Sequence, residues 1–227
     1  MSDSRNSQVV PHRKPVLFME KFSEADVPTE RGVFRTVVFR DRRNGKEHVA
    51  LVMGDVAGAE GVPVRVHSEC LTSEVFGSLK CDCRQQFDRA MDFVAQSGRG
   101  IVLYLRQEGR GIGLGNKIKA YALQAKGADT YEANRQLGFA DDLRSYDIAA
   151  EMLRILDVRS VDLITNHPLK IAGLVDEGIP VRRRIPSRTA HNPHNVDYLR
   201  TKRERTGHLI EVVSDEQGDE DNTQKVG

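Results

Sequence analysis

The spacing of apolar residues divides the chain into two regions of different secondary structure. Residues 33–40 and 47–53 are rich in β-branched and aromatic residues, which predicts two strands. Residues 41–45 between them contain an Asn-Gly pair, a hairpin turn signal, so these strands are expected to pair in antiparallel fashion. A further strand is expected at 62–66. The first third of the chain is therefore predicted to form a largely antiparallel β unit.

After residue 83 the apolar spacing becomes helical. Residues 86–96 predict a helix that ends at Gly98, and the continuous apolar run 101–105 predicts a buried strand. The later elements are predicted as helix, helix, strand, helix and strand, at residues 116–125, 146–156, 161–164, 169–176 and 179–182. We therefore expect an α/β protein with a mixed sheet: an N-terminal largely antiparallel β unit, a C-terminal part containing a βαβ unit, and helices packed on the sheet.

Charge and composition limit the classes of function. The net charge of +1 does not suggest a protein that coats nucleic acid, and no apolar run is long enough to span a membrane. The N-terminus lacks the apolar core of a secretory signal, so we expect a cytoplasmic protein with neither nucleic acid nor membrane as partner. We predict a disordered leader at 1–14, a single domain at 15–210 and a disordered acidic tail at 211–227.

The three cysteines of the chain, Cys70, Cys81 and Cys83, are the most specific chemical signal. Their odd number and the missing export signal favour reduced thiols, and thiolates are preferred zinc ligands. The residues alone leave two arrangements open. His67 could complete a closed structural site, or a water could occupy the fourth position of an open one. An open zinc lowers the pKa of its water toward neutrality, as in deaminases that attack a ring carbon of a base.

A glycine-rich stretch, residues 106–117, follows the predicted buried strand and opens a helix. Such a turn presents free backbone N–H groups and a helix N-terminus to an anion. Arg106, Arg110 and Lys117 accompany four glycines there, which favours phosphate binding. The alternative is a tight turn with solvated arginines.

Two further polar stretches have both structural and functional interpretations. From the residues alone, Asp142 and Arg144 are interpreted as structural, in a solvated surface turn or a helix cap; the functional alternative is an acid that orients a guanidinium and takes a proton near it. Residues 165–170 follow a predicted strand at the end where open α/β sheets bind ligands. They also fit an N-capping loop with Pro168 in the first helical turn. Tyr121 would by default be an ordinary core or interface aromatic.

Taken in order, these stretches resemble GTP cyclohydrolase II. The resemblance rests on RVHSEC, the C-x10-C-x-C spacing, LRQEGRGIGLGNKIKAYALQ, DTYEANRQLGF, DDLR, LITNHPLK and TKRERTGHLI. It spans roughly residues 30–210 and implies one catalytic domain of that family at 15–210. The implied reaction is zinc-dependent hydrolysis of GTP at C8, with release of formate and pyrophosphate. The implied product is 2,5-diamino-6-hydroxy-4-(5-phosphoribosylamino)pyrimidine, the first step of riboflavin biosynthesis.

The resemblance also implies a role for individual residues. One Zn²⁺ per subunit would be held by the three cysteine thiolates and a water, which leaves His67 to the nucleotide loop. In the mechanism proposed for the family, Arg144 attacks the α-phosphorus, Asp142 accepts its proton, and Tyr121 assists hydrolysis at C8. The implied GTP-binding residues are Arg65, Val66, His67, Ser68, Glu69, Gln86, Glu108, Gly109, Arg110, Thr130, Thr165 and Lys170. Mg²⁺ would bind the triphosphate, and the protein would form a homodimer.

Two positions and three alternatives qualify the resemblance. Arg84 follows the third cysteine where many members have glycine, which changes backbone freedom beside the zinc. A branch of the family that stops at the formylated pyrimidine has methionine at the position of Tyr121. Because this chain has the tyrosine, the resemblance predicts deformylation. The alternatives are that branch, a ring-opening enzyme of specialised metabolism, and a zinc-stabilised binding module, which the near-neutral charge disfavours. The dihydroxybutanone phosphate synthase domain that some members carry is expected to be absent.

Overall fold

The computed structural model describes residues 17–128, 130–140 and 142–187, and these contain a seven-stranded mixed sheet. Its strands are β1 (Met19–Thr29), β2 (Gly32–Asp41), β3 (Glu47–Met53), β4 (Val62–Ser68), β5 (Gly100–Leu105), β6 (Val161–Ile164) and β7 (Val181–Ile185). They lie in the order β1-β2-β3-β5-β4-β6-β7. The predictions for the leader at 1–14 and the tail at 211–227 fall outside the described residues.

One half of the sheet is antiparallel, as the alternating pattern predicts. β1, β2, β3 and β5 pair antiparallel in that order. The turn between β2 and β3 closes where the Asn-Gly signal lies, with the Gly45 amide donating to the Asp41 carbonyl at 2.7 Å. Buried and partly buried positions alternate along β3, so one side of that strand faces a core. β1 has no predicted counterpart, because from Lys21 onward all its residues are exposed and show no alternation.

The other half of the sheet is parallel. β4 lies between β5 and β6, β7 follows β6, and all three pairs are parallel. The predicted βαβ unit is therefore confirmed, with its crossover helix between β6 and β7. Because parallel strands end at the same edge of a sheet, the segments after β4, β5 and β6 lie near one another. These segments carry the cysteines, the glycine-rich stretch and residues 165–170.

Helices cover both faces of the sheet. They are α1 (Leu71–Glu74), α2 (Cys83–Ser97), α3 (Leu114–Gln124), α4 (Thr130–Gln136), α5 (Asp147–Ile155) and α6 (Pro168–Asp176). α5 and α6 pack with Ile101, Leu103 and Leu105 of β5 in one core, whereas α2 packs with Val102 in a second. The α/β class and the four predicted helices are confirmed, while α1 and α4 had no predicted counterpart. None of the described helices has the length and apolarity needed to cross a bilayer.

Candidate active site

The three cysteines form one compact cluster. Their Sγ atoms all lie within 4.8 Å of one another, and the Sγ atoms of Cys70 and Cys81 are 3.6 Å apart. All three are free thiols. Thiolates at about 2.3 Å from a tetrahedral zinc lie about 3.8 Å from each other, so the observed spacing fits such an ion. The donor set and the geometry therefore suit zinc.

His67 does not join this cluster. Its Nε2 lies 2.7 Å from Glu74 Oε1, and the grouped metal-binding atoms in the described residues are the three cysteine sulfurs alone. The imidazole is buried, 5.2 Å from the Phe87 ring and 5.7 Å from the Tyr104 ring, centroid to centroid. Burial lowers the pKa of His67 to about 4. A closed site with His67 as the fourth ligand is therefore wrong for this geometry.

Lys117 reaches the cluster from α3. Its Nζ is 3.2 Å from Cys70 Sγ, 2.9 Å from Thr72 Oγ1 and 2.8 Å from Glu108 Oε1. The sequence pattern grouped Lys117 with phosphate-binding cations, and in the structure its ammonium group contacts a cysteine, a threonine and a glutamate. The side chain is buried beneath the glycine-rich turn because α3 carries it inward toward a residue 47 positions earlier in the chain.

The local charges polarise the thiols. Hydrogen bonding with Cys81 and Cys83, helped by the Lys117 ammonium, lowers the pKa of the Cys70 thiol. Hydrogen bonding with Cys70 raises the pKa of the Cys83 thiol. Burial opposes the charge on Lys117, but its hydrogen bond to Glu108 and the charges of Cys70 and Tyr121 together outweigh burial and raise the pKa of the ammonium group. A cation and a thiolate thus face each other at the cluster.

Tyr121 lies one helical turn after Lys117 and on the same side of α3. The Lys117 Nζ is 5.8 Å from the centre of the Tyr121 ring. Burial raises the pKa of Tyr121 to about 12, and the charges of Cys81 and Cys70 also act on it. The phenol is therefore protonated at neutral pH and lies near the cysteine cluster.

Arg65, the first residue of the expected nucleotide loop, is buried and anchors the second and third cysteines. Its guanidinium donates to Ile164 O at 3.1 Å and to Gln86 Oε1. The Gln86 amide then donates to Asp82 Oδ2 at 2.6 Å, and Asp82 stands between Cys81 and Cys83. Burial lowers the pKa of Arg65 to about 10, so it stays charged at neutral pH. Two expected GTP-binding residues, Arg65 and Gln86, therefore meet in one network.

The glycine-rich turn packs directly on the Asp142 segment. Gly109 and Arg110 both have φ of 60°, a conformation that is costly for a side chain such as arginine. The Leu143 amide donates to Arg110 O at 3.0 Å, and a Cβ on Gly111 would lie 3.0 Å from Leu143 O. Two stretches that are about thirty positions apart in sequence thus form one unit.

Asp142 and Arg144 form a close ion pair. Arg144 Nε lies 2.9 Å from Asp142 Oδ1, and its Nη2 donates to Oδ2. Burial favours the neutral acid, but hydrogen bonds from Arg144 outweigh it and lower the pKa of Asp142. The side chain of Arg144 is only 14% exposed and that of Asp142 only 24% exposed. The pair is therefore partly buried, which is less solvent contact than a fully solvated surface turn would have.

Residues 165–170 start α6 and contact β4. Pro168 is the first residue of α6, as expected, but the N-cap residue His167 makes no side-chain capping hydrogen bond. Thr165 Oγ1 accepts from the His167 amide at 3.0 Å, just before the helix. Lys170 Nζ donates to Val66 O at 2.6 Å, and both Thr165 and Lys170 are buried. Their polar groups lie at the carboxyl ends of β4 and β6.

A cleft of about 460 Å³ opens beside the cluster, between the β2–β3 turn and the glycine-rich turn. It is lined by Gly45, Lys46, Glu47, Glu69, Leu71, Arg106, Gln107, Glu108, Gly111, Gly113 and Leu114. Glu69 and Arg106 pair across 2.6 Å within it. The β2–β3 turn was not expected near the site, because its polar residues resemble any solvated hairpin.

Three other expected positions have distinct placements. Glu108 is buried, and its carboxylate accepts from Leu71 N at 2.8 Å and Gly109 N at 2.9 Å in addition to Lys117. Ser68 Oγ is buried and has no partner among the described residues. Thr130 begins α4, and its side chain lies outside the described set.

Arg84 lies in the first turn of α2, with Nη1 3.3 Å from Glu74 O, so this position does not need glycine.

The fold and the site define an α/β protein with three cysteines that could hold a metal ion, placed at the carboxyl edge of its parallel strands. Residues 20–186 match the family model of GTP cyclohydrolase II. The chain therefore belongs to the GTP cyclohydrolase II family.

Named relatives extend this match over most of the chain. GTP cyclohydrolase-2 of Aeromonas hydrophila is 50% identical over 188 residues, 83% of this chain and 95% of the relative. GTP cyclohydrolase-2 of Teredinibacter turnerae is 50% identical over 197 residues, 87% of this chain and 99% of the relative. Riboflavin biosynthesis protein RibBA of Bacillus subtilis is 52% identical over 193 residues, 85% of this chain but 48% of the relative. The chain thus spans about half the length of the RibBA relatives.

Proposed function

We propose that this chain hydrolyses GTP, opening the imidazole ring at C8 and releasing formate and pyrophosphate. The product would be 2,5-diamino-6-hydroxy-4-(5-phosphoribosylamino)pyrimidine, at the start of riboflavin biosynthesis. The observation that carries the proposal is the arrangement of the cysteine cluster, Lys117 and Tyr121 at the sheet edge that also holds the Asp142–Arg144 pair. Family membership supports the choice of GTP as substrate.

Cys70, Cys81 and Cys83 would hold zinc. When bound, that ion supplies a Lewis acid that lowers the pKa of a water molecule toward neutrality. Tyr121 is protonated at neutral pH, so its hydroxyl can donate a hydrogen bond or a proton beside the cluster. We assign it to the hydrolysis of the formyl group at C8.

Pyrophosphate release would take place at the ion pair. The lowered pKa of Asp142 keeps its carboxylate ionised at neutral pH. A guanidinium nitrogen of Arg144 would form a bond to the α-phosphorus while the bond from that phosphorus to pyrophosphate breaks, and Asp142 would take the proton that the nitrogen loses. Water would then hydrolyse the P–N bond, which frees Arg144 and leaves the phosphate on the product. The adjacent Arg110 belongs to a turn fixed to Leu143, so its charge stays near the transferring phosphate. Mg²⁺ would neutralise the rest of the triphosphate.

Substrate would be held by the segments after the parallel strands. Arg65 to Glu69, Gln86, the Glu108–Arg110 turn, Thr165 and Lys170 surround this edge, and Thr130 is assigned from the resemblance alone. Since Glu108 accepts three internal hydrogen bonds, we assign it a supporting role in shaping the turn. Homodimer formation and the single domain at 15–210 stay predictions of the resemblance, and a cytoplasmic location stays a prediction of the sequence pattern.

The test is to incubate the zinc-loaded protein with GTP and Mg²⁺ and to measure formate, pyrophosphate and the pyrimidine product. Cys83→Ser is expected to lose both zinc and formate production. Gln85→Ser is the matched control, because Gln85 is exposed on the same helical turn and receives the same replacement. Full formate production by Cys83→Ser would overturn the proposal. Salt-sensitive RNA binding without GTP turnover would favour a binding module instead.

A further inference from the structure

Lys117 contacts the sulfur of a proposed metal ligand, and the expected role in phosphate binding does not account for that contact. Its side chain is about one-tenth exposed, although an ammonium group is among the costliest groups to bury. A buried lysine needs compensation for every one of its three N–H donors. The structure provides one acceptor for each donor: a thiolate sulfur, a hydroxyl oxygen and a carboxylate oxygen.

The geometry of these contacts fixes the ammonium group rigidly. The Glu108 carboxylate also accepts hydrogen bonds from two backbone amides, Leu71 N and Gly109 N. These bonds hold the carboxylate in the position where it accepts from Lys117. Thr72 lies two residues after Cys70 in α1, which places its hydroxyl on the same segment as the metal ligand. The ammonium group therefore stays in contact with the Cys70 sulfur and cannot turn freely toward a phosphate.

The charge of the cluster explains what the contact between Lys117 and Cys70 can do. Three thiolates around a divalent ion leave a net charge of minus one, which weakens the attraction of the ion for a lone pair of water or substrate. A hydrogen bond from a cation to one sulfur withdraws electron density from that sulfur and offsets the surplus charge. Groups that contact metal ligands in this way commonly change metal affinity or activity by about 10–100-fold.

We propose that Lys117 is a positioning residue for the metal site: its hydrogen bond to Cys70 Sγ tunes the donor strength of that ligand and holds it in place. This inference rests on the proposed function, because it takes the three cysteines to be zinc ligands. It makes Lys117 part of the metal centre and removes it from the phosphate-binding residues. Glu108 then acts through Lys117, as the group that orients the ammonium.

The experiment uses Co²⁺ in place of zinc, because thiolate-to-cobalt charge-transfer bands in the near ultraviolet report the electron density on sulfur. Wild type is compared with Lys117→Met, which keeps the length of the side chain and removes the donor. Lys119→Met is the control, since Lys119 lies on the same helix and is exposed. The second measurement is the zinc dissociation constant, by competition with a chromophoric chelator.

We expect Lys117→Met to shift the charge-transfer bands to lower energy, because the sulfur of Cys70 regains electron density. We also expect zinc binding to weaken about tenfold or more, because losing the contact that holds Cys70 in place costs more than the stronger donor gains. Lys119→Met should match wild type in both measurements. If Lys117→Met does not fold, Lys117→Gln removes the same charge with a polar group, and it should shift the bands in the same direction.

Identical bands and identical zinc affinity in wild type and in a folded Lys117 variant would overturn the inference while leaving the metal site intact. Absence of any thiolate-to-cobalt band in wild type would instead overturn the metal site, and with it both the proposed function and this inference. A variant that binds GTP more weakly but keeps the wild-type bands would return Lys117 to substrate binding, and so would also refute the inference.

Discussion

Replacing Gly111 with alanine should disturb the Asp142–Arg144 pair without touching either side chain. Gly111 has φ of +94°, where an L residue costs on the order of 1–2 kcal/mol. The added Cβ would lie 3.0 Å from Leu143 O and 3.1 Å from Leu143 C. These are backbone atoms, so no side-chain rotation relieves the contact. Leu143 stands between the two members of the ion pair and must move by a few tenths of an ångström.

We expect Gly111→Ala to lower the free energy of unfolding by about 1–3 kcal/mol. Because a misplacement of about 1 Å can cost on the order of 100-fold in rate, a smaller shift should slow pyrophosphate release about tenfold. Urea unfolding measures the first quantity, and a coupled pyrophosphate assay at saturating GTP measures the second.

Gly115→Ala is the matched control for this change. Gly115 lies in α3 with ordinary helical backbone, and its added Cβ would meet no atom within 4 Å. Alanine there should leave turnover unchanged and leave stability unchanged or raise it by up to about 1 kcal/mol. Wild-type stability and wild-type pyrophosphate release in Gly111→Ala would refute the coupling of the glycine-rich turn to the ion pair.

Three further predictions concern single side chains. Arg144→Ala should slow pyrophosphate release by on the order of 100-fold or more while zinc content, measured by elemental analysis, stays at one per chain. Tyr121→Phe should accumulate the formylated pyrimidine, which product chromatography detects, because the donor beside the cluster is lost. His67 has its pKa lowered to about 4 from 6.5, so the unfolded chain binds a proton that the folded chain lacks as the pH falls below 6.5. The free energy of unfolding therefore falls between pH 6.5 and 4, by about 2 kcal/mol at pH 5. Urea titrations at pH 7 and 5 measure this fall, and His67→Gln should lack the part of it that His67 causes.

Each of these predictions has an outcome that contradicts it. Pyrophosphate release at the wild-type rate in Arg144→Ala would remove that residue from the reaction. Complete deformylation by Tyr121→Phe would assign the proton donor elsewhere. An unchanged pH dependence of stability in His67→Gln would mean that the imidazole is protonated in the folded protein.

The sheet was largely predictable because each half obeys a local rule. β2 and β3 alternate about an Asn-Gly turn, and β5 contains the continuous apolar run 101–105 because both of its faces are covered. β1 was not predicted because it is an exposed edge strand, and neither of its faces needs apolar residues for packing. Backbone hydrogen bonds pair it with β2, and these bonds do not depend on which side chains the strand carries.

The site was predictable only where its residues are close in sequence. The cysteine spacing indicated a metal cluster, and the Asp142–Arg144 pair was visible as an acid two residues from an arginine. The contact of Lys117 with Cys70 joins residues 47 positions apart and depends on the packing of α3. One signal was present nonetheless: Lys117 and Tyr121 stand four residues apart, so a helix must carry both to the same side.

The decisive measurement is carbon-13 NMR of GTP labelled at C8, incubated with the zinc-loaded protein and Mg²⁺. The proposed function predicts that the labelled carbon leaves the nucleotide and appears as formate, one for each GTP consumed, together with one pyrophosphate. The zinc-free protein should leave the label in the purine ring. Label that stays in an intact purine while the zinc-loaded protein consumes GTP would contradict the account.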